Sequence, residues 1–207
     1  MKTANPTFML ALVMVLGQAC KTQKAADGNK GNDINALIIF QHGVETPVRN
    51  PSETVEIDKA AFSLRFYNKK YNSEEEAFYS AQIASFIDKS ELDKITVGMS
   101  KSDLRCFVPG SGMAPDRSGK YESLIFNNSG HHYVIYENQD SKRLNLLDDS
   151  GEMLKLEFEI NALYYDNTEV KMTDTKLKEF YMAFLIDRNL NGIIDNGELH
   201  KLTVRMK

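Results

Sequence analysis

Phe62, Leu64 and Phe66 alternate with Ser63, Arg65 and Tyr67. A period of two puts one set of side chains on one face, the pattern of an extended strand with a single buried side. Similar segments recur along the chain. Residues 36–40 are a short apolar run ended by Gly43 and Pro47, and residues 121–126, 132–137, 142–147 and 153–165 alternate or run apolar. Between them stand Asn127-Asn128-Ser129-Gly130, Asn138-Gln139-Asp140-Ser141 and Asp148-Asp149-Ser150-Gly151, whose short polar side chains and glycines favour tight turns. Strands joined by short turns pair with their sequence neighbours. The pattern predicts a mostly β fold, an antiparallel meander packed as a β-sandwich-like single domain over residues 36–207.

Two segments depart from that pattern and predict one or two short helices. Ser73-Glu74-Glu75-Glu76 before Ala77, Phe78, Ala81 and Ile83 offers a capping box, although the same residues also fit a strand. In Val97-Gly98-Met99-Ser100-Lys101-Ser102-Asp103-Leu104, Ser100 and Asp103 can cap a helix of one or two turns. Over these eight residues the string resembles the helix start in the small lipoproteins of the outer-membrane barrel-assembly machinery.

The N-terminus carries an address. Lys2 precedes the apolar run 8–16, and Gly17-Gln18-Ala19-Cys20 follows it. A basic start, a short apolar stretch and small residues before a cut site predict a secretory signal over residues 1–19. The run is shorter than the roughly 20 apolar residues that a membrane-spanning helix needs. Leu16-Gly17-Gln18-Ala19-Cys20 resembles the lipobox of bacterial lipoproteins, with the leucine one place further from the cysteine than usual. That resemblance implies acylation of Cys20, which becomes the new N-terminus; a plain cleaved signal with an incidental Cys20 is the alternative. Residues 21–33 hold no large apolar side chain and cannot bury enough surface to offset ordering, so residues 20–35 are expected to form a flexible tether. In the lipoproteins it resembles, a lysine after the cysteine, here Lys21, argues against inner-membrane retention. The expectation is a lipid-anchored envelope protein on the outer membrane, facing the periplasm.

Charge and cysteine content exclude several classes. The formal net charge is −4 with no basic stripe and no long block of like charge, which argues against nucleic acid as a partner. The only cysteines are Cys20 and Cys106, so a lipidated Cys20 leaves Cys106 without an intramolecular disulfide. Among Leu104, Phe107 and Val108, Cys106 reads as a small core residue, with no local histidine to activate it as a nucleophile.

One segment names a chemistry. Residues 187–198, Asp187-Arg188-Asn189-Leu190-Asn191-Gly192-Ile193-Ile194-Asp195-Asn196-Gly197-Glu198, resemble the twelve-residue EF-hand calcium loop at every ligand position. Asp187, Asn189, Asn191 and Asp195 supply side-chain oxygens, Ile193 a backbone carbonyl, and Glu198 a bidentate carboxylate; Gly192 makes the sharp turn. The implied cofactor is calcium. Three of the ligands are carboxylates, so charge neutralisation is modest, and extracytoplasmic calcium modules work at about 10⁻⁴–10⁻³ M. A polar hairpin without metal is the alternative.

What flanks the loop decides its mechanics. Upstream, Leu177, Phe180, Tyr181, Phe184 and Leu185 fit one helical face, while Phe180, Met182, Phe184 and Ile186 alternate as a strand. Downstream, Leu202, Val204 and Met206 alternate with Lys201, Thr203, Arg205 and Lys207, which is a strand signature. Asn196-Gly197 is a turn signal suited to re-entering a sheet. The expectation is a C-terminal calcium-loop hairpin, with an α+β fold and a helix-flanked EF-hand as the alternative.

Other candidates carry less. His131 and His132 are adjacent, so in a strand they point to opposite faces and cannot readily share a metal. Residues 109–119 form a long Gly/Pro-rich loop without the Gly-x-Ser-x-Gly elbow of a serine hydrolase; such a loop suits recognition. No catalytic constellation stands out. The sequence therefore points to a calcium-binding, non-catalytic envelope lipoprotein, anchored in the membrane through its N-terminus and binding an envelope protein or ligand. The alternatives are an envelope hydrolase using Ser111, Asp116 or the histidines in the 109–119 region, and an EF-hand calcium-responsive switch.

Overall fold

The computed structural model describes residues 36–70, 80–107, 123–126, 144–166 and 168–207. Among these residues the chain is mostly β, in two sheets. The first has five antiparallel strands in the order β2 (Val44–Val48), β1 (Leu37–Gln41), β4 (Phe62–Lys69), β8 (Met153–Ile160) and β7 (Asn145–Asp148). The second has seven, in the order β10 (Thr168–Lys171), β9 (Ala162–Tyr165), β6 (Ser123–Phe126), β5 (Ala81–Phe86), β11 (Glu179–Ile186), β12 (Leu199–Met206) and β3 (Ser52–Ile57). All its pairs are antiparallel except β12 with β3, which is parallel.

The alternation of the sequence becomes the packing between the sheets. Phe62, Leu64 and Phe66 of β4 and Leu156, Phe158 and Ile160 of β8 share one buried cluster with Phe180, Met182 and Phe184 of β11 and with Leu202 and Val204 of β12. Phe126 joins the sheets further, meeting Phe158 at 6.4 Å and Phe180 at 5.8 Å between ring centroids. This is a sandwich core, as the period-two pattern predicts.

The outer face of the larger sheet is also buried over β5 and β11. Ala84 and Phe86 of β5, with Tyr181, Ala183 and Leu185 of β11, form a second cluster covered by Leu92, Ile95, Leu104, Phe107 and Ile194. The covering elements are short. Helix α1 (Lys89–Asp93) is capped by Asp88, whose carboxylate accepts from the Ser90 amide at 2.9 Å. Two single 3₁₀ turns, Lys101–Asp103 and Arg105–Phe107, follow it.

Several expectations are corrected in detail. Of the two readings of the upstream segment the strand holds and the helical face does not: Phe180, Tyr181, Phe184 and Leu185 lie in β11, with Leu177 before it, and β11 is buried on both sides, so its nearly continuous apolar run mimics a helical stripe. The α+β alternative with a helix-flanked loop falls with it. Residues 153–165 are two strands, because the chain breaks at Asn161 and passes from the smaller sheet (β8) to the larger (β9). Pro47 does not end the first region; it lies within β2, an edge strand where a missing N–H costs no ladder bond. His42 and Gly43 form the two-residue turn between β1 and β2, both at positive φ (52° and 79°), the backbone of a type I′ hairpin turn. Ser100 does cap a turn, accepting from the Ser102 amide at 3.3 Å, but a 3₁₀ turn and not a longer helix. The expected helix at 73–83 is strand from Ala81 onward; residues 73–79 and the expected strand 132–137 lie outside the described residues.

Candidate functional site

Residues 187–198 connect β11 to β12, two antiparallel neighbours in register from Glu179 opposite Arg205 to Leu185 opposite Leu199. The hairpin places the loop at one end of the larger sheet. Its eighth residue, Ile194, is fully buried in the outer cluster. Its back is fastened to the segment before the first 3₁₀ turn. Gly98 donates to the Ile194 carbonyl at 2.8 Å, Ile194 to the Met99 carbonyl at 2.9 Å, and Lys101 to the Gly192 carbonyl at 2.8 Å. These bonds surround a β-bridge between Ser100 and Ile193.

Inside the loop, polar side chains hold the backbone. Asp187 Oδ2 accepts from the Gly192 amide at 3.0 Å. Asn189 Oδ1 accepts from Asn191 N at 3.0 Å, and Asn191 Oδ1 from Ile193 N at 2.7 Å. Glu198 spans the two ends: Oε1 accepts from Arg188 N at 2.7 Å and Oε2 from Asp195 N at 3.0 Å. Charge-assisted bonds of this kind are stronger than neutral ones. Gly192 stands at φ 76° and Gly197 at φ 85°, conformations in which a side chain is strained. The exit is a turn closed by Glu198 N donating to Asp195 O at 3.3 Å; the positive φ of Gly197 is what a type II turn requires.

The carboxylates differ in surroundings. Asp187 and Glu198 are buried, 1% and 5% exposed, whereas Asn189 and Asn191 are exposed at the rim. Asp195 Oδ2 takes two amide donors, Asn189 Nδ2 at 2.8 Å and Asn191 Nδ2 at 3.0 Å. Asp187 has a partner that the spacing did not disclose. The ammonium of Lys101 lies 2.8 Å from Asp187 Oδ2, and its side chain is 12% exposed. The other oxygen, Asp187 Oδ1, is buried with no hydrogen-bond partner.

The six residues named from the sequence share one loop: Asp187 lies with Lys101 at the base, Asp195 with the two asparagines at the rim, Glu198 bonds to the backbone beside Asp187 and at Asp195, and the Ile193 amide is held by Asn191. Among the described residues, no three His, Cys, Asp or Glu side chains are grouped as metal ligands. The chemistry of the set nevertheless suits a hard cation. It consists of oxygen donors, it includes a buried carboxylate oxygen without a partner, and each asparagine carbonyl keeps a second lone pair beyond its one backbone bond.

Burial pushes the Cys106 thiol up to about 12, the opposite of what a thiolate nucleophile needs. Cys20, His131, His132, Ser111, Asp116 and the rest of the 109–119 loop lie outside the described residues. No described helix is long and apolar enough to cross a membrane. No protein-family model, curated protein or solved structure matches the chain.

Proposed function

We propose that the chain is a calcium-binding, non-catalytic envelope lipoprotein, with residues 187–198 as the seat of the ion and the β domain as a protein- or ligand-binding module. The observation that carries the calcium reading is Asp187. It is a buried carboxylate with one oxygen lacking a partner, at the first position of a loop whose other ligand positions all bear oxygen. An unsatisfied buried acceptor costs about 1–3 kcal/mol, and a cation would satisfy it. Asp187, Asn189, Asn191, Ile193, Asp195 and Glu198 would hold calcium through oxygen alone, which suits this ion over softer metals.

Strands on both sides support a fixed staple over a switch. An EF-hand sensor works by changing the angle between two helices, whereas β11 and β12 are hydrogen-bonded to each other along most of their length. The envelope and module parts rest on the lipobox-like Cys20 and the polar tether, which would hold the domain at a membrane among other envelope proteins.

The test is calorimetric and thermal titration of the protein with calcium. Calcium at about 100 times its dissociation constant should add roughly 2.7 kcal/mol of stability, and Glu198→Gln should remove most of that gain. No calcium effect on the parent, or an equal one on the variant, ends the calcium reading. Cys20→Ala should release the protein from membranes, and retention of lipid label by that variant ends the anchor reading.

A further inference from the structure

We infer that Lys101 is a built-in competitor for the cation seat: its ammonium holds the first-position carboxylate, and calcium enters by displacing it. The inference rests on the calcium reading above and adds to it how the site is regulated.

Apart from Asp187 Oδ1, the carboxylates of the loop already have donors from within the protein. Lys101 Nζ and the Gly192 amide share Asp187 Oδ2, two amide groups share Asp195 Oδ2, and Glu198 accepts from two backbone amides. A divalent ion bound at Asp187 would sit beside the Lys101 ammonium. Asp187 is 1% exposed, so water and salt would screen that repulsion poorly. The ammonium on Oδ2 and an ion at Oδ1 would therefore compete for one carboxylate.

The exchange needs little rearrangement. The Lys101 backbone is pinned by its bond to the Gly192 carbonyl, and its neighbours are pinned at Gly98 and Met99. Only the flexible four-carbon stem has to swing. Because the competitor is tethered, its effective concentration is set by geometry and not by dilution, and short tethers give values on the order of millimolar or above. The site would therefore bind calcium more weakly than its ligand set alone allows. Calcium entry would also release the ammonium from Asp187, beside the 3₁₀ turn at Lys101–Asp103.

The experiment compares the full chain, in detergent, with Lys101→Met and Lys101→Arg by calorimetric calcium titration. Lys101→Met keeps the stem and removes the charge; it should bind calcium at least about tenfold more tightly, while Lys101→Arg stays within about threefold of the parent. A Lys101→Met variant that binds no more tightly than a calcium-binding parent overturns the competition. If parent and Lys101→Met are both folded by circular dichroism and neither takes up calcium, the calcium reading itself fails. A second measurement does not depend on the variant folding. Acetylation of Lys101 in the parent, followed by mass spectrometry, should rise when calcium replaces chelator. Unchanged labelling in protein that calorimetry shows to be calcium-bound overturns the inference.

Discussion

The rings of Phe66 and Phe184 meet edge to face with their centroids 4.8 Å apart, one from each sheet. Both side chains are fully buried, and Phe184 lies two residues before the start of the candidate loop's anchoring base at Ile186 and Asp187. Burial of an aromatic pair in this geometry is worth more than its area alone. Phe184→Ala should cost about 3–5 kcal/mol, a fall of roughly 6–20 °C in Tm for a domain of this size. Thermal unfolding followed by circular dichroism measures it. A loss under about 1 kcal/mol would mean that the two sheets do not pack through this pair.

How far the chain could be read in advance depends on how local each signal is. The β4 alternation and the spacing of Asp187, Asn189, Asn191, Asp195 and Glu198 are set by near neighbours, so both were legible. The strand exit at Leu202, Val204 and Met206 was legible for the same reason, since β12 buries alternate residues toward the core. Strands β2 and β3 were missed: both lie at sheet edges, β2 (Val-Glu-Thr-Pro-Val) buries only Val48, and β3 (Ser-Glu-Thr-Val-Glu-Ile) buries only Val55 and Ile57. The break at Asn161 was hidden because apolar character continues through a change of sheet. Nothing near Lys101 in sequence announces Asp187. That contact exists only because the 98–101 segment pairs with the back of the loop.

Cys106 offers a test of the outer cluster against which it packs. Burial raises its thiol from 9.0 to about 12, so the folded protein holds the neutral form at pH 8. Iodoacetamide at that pH should label Cys106 far more slowly than a free cysteine, and unfolding in urea should restore the rate, as read by mass spectrometry of its peptide. The sign for stability follows. The unfolded thiol ionises first as pH rises, so this contribution is intact below pH 9.0 and is lost progressively toward about 12. Rapid labelling of the native protein would contradict the burial.

On the smaller sheet, the Arg65 guanidinium donates to Glu45 and to Glu157, each at 2.8 Å, and its Cζ lies 3.3 Å from the centre of the Phe40 ring. Hydrogen bonds from Arg65 first, and from Lys155 second, hold the Glu45 carboxyl below its ordinary 4.5. A depressed carboxylate contributes stability above its unfolded value and loses it as pH falls through the folded one. Arg65→Met should therefore move the Glu45 titration, followed by carboxyl carbon chemical shift, upward toward 4.5. The stability gap between parent and variant should also narrow as pH drops below that value. An unmoved Glu45 titration would assign the depression to Lys155 instead.

The pairing of Lys101 with Asp187 can be weighed without any metal. With chelator present, Asp187→Asn takes the Asp187 charge away from a largely buried ammonium, and Lys101→Met leaves a buried carboxylate without its ammonium. Breaking one side of such a pair costs about 3–5 kcal/mol, whereas replacing both sides is often close to neutral. The double variant should accordingly be more stable than either single one, with a coupling free energy of at least about 1–3 kcal/mol in urea unfolding. The sign follows from burial, since the Asp187 side chain is 1% exposed and that of Lys101 12%, too little for solvent to replace the interaction that either substitution removes. Additive losses in the cycle would show that the two groups do not interact in solution, and the loop's charge would then have to be balanced by something other than this lysine.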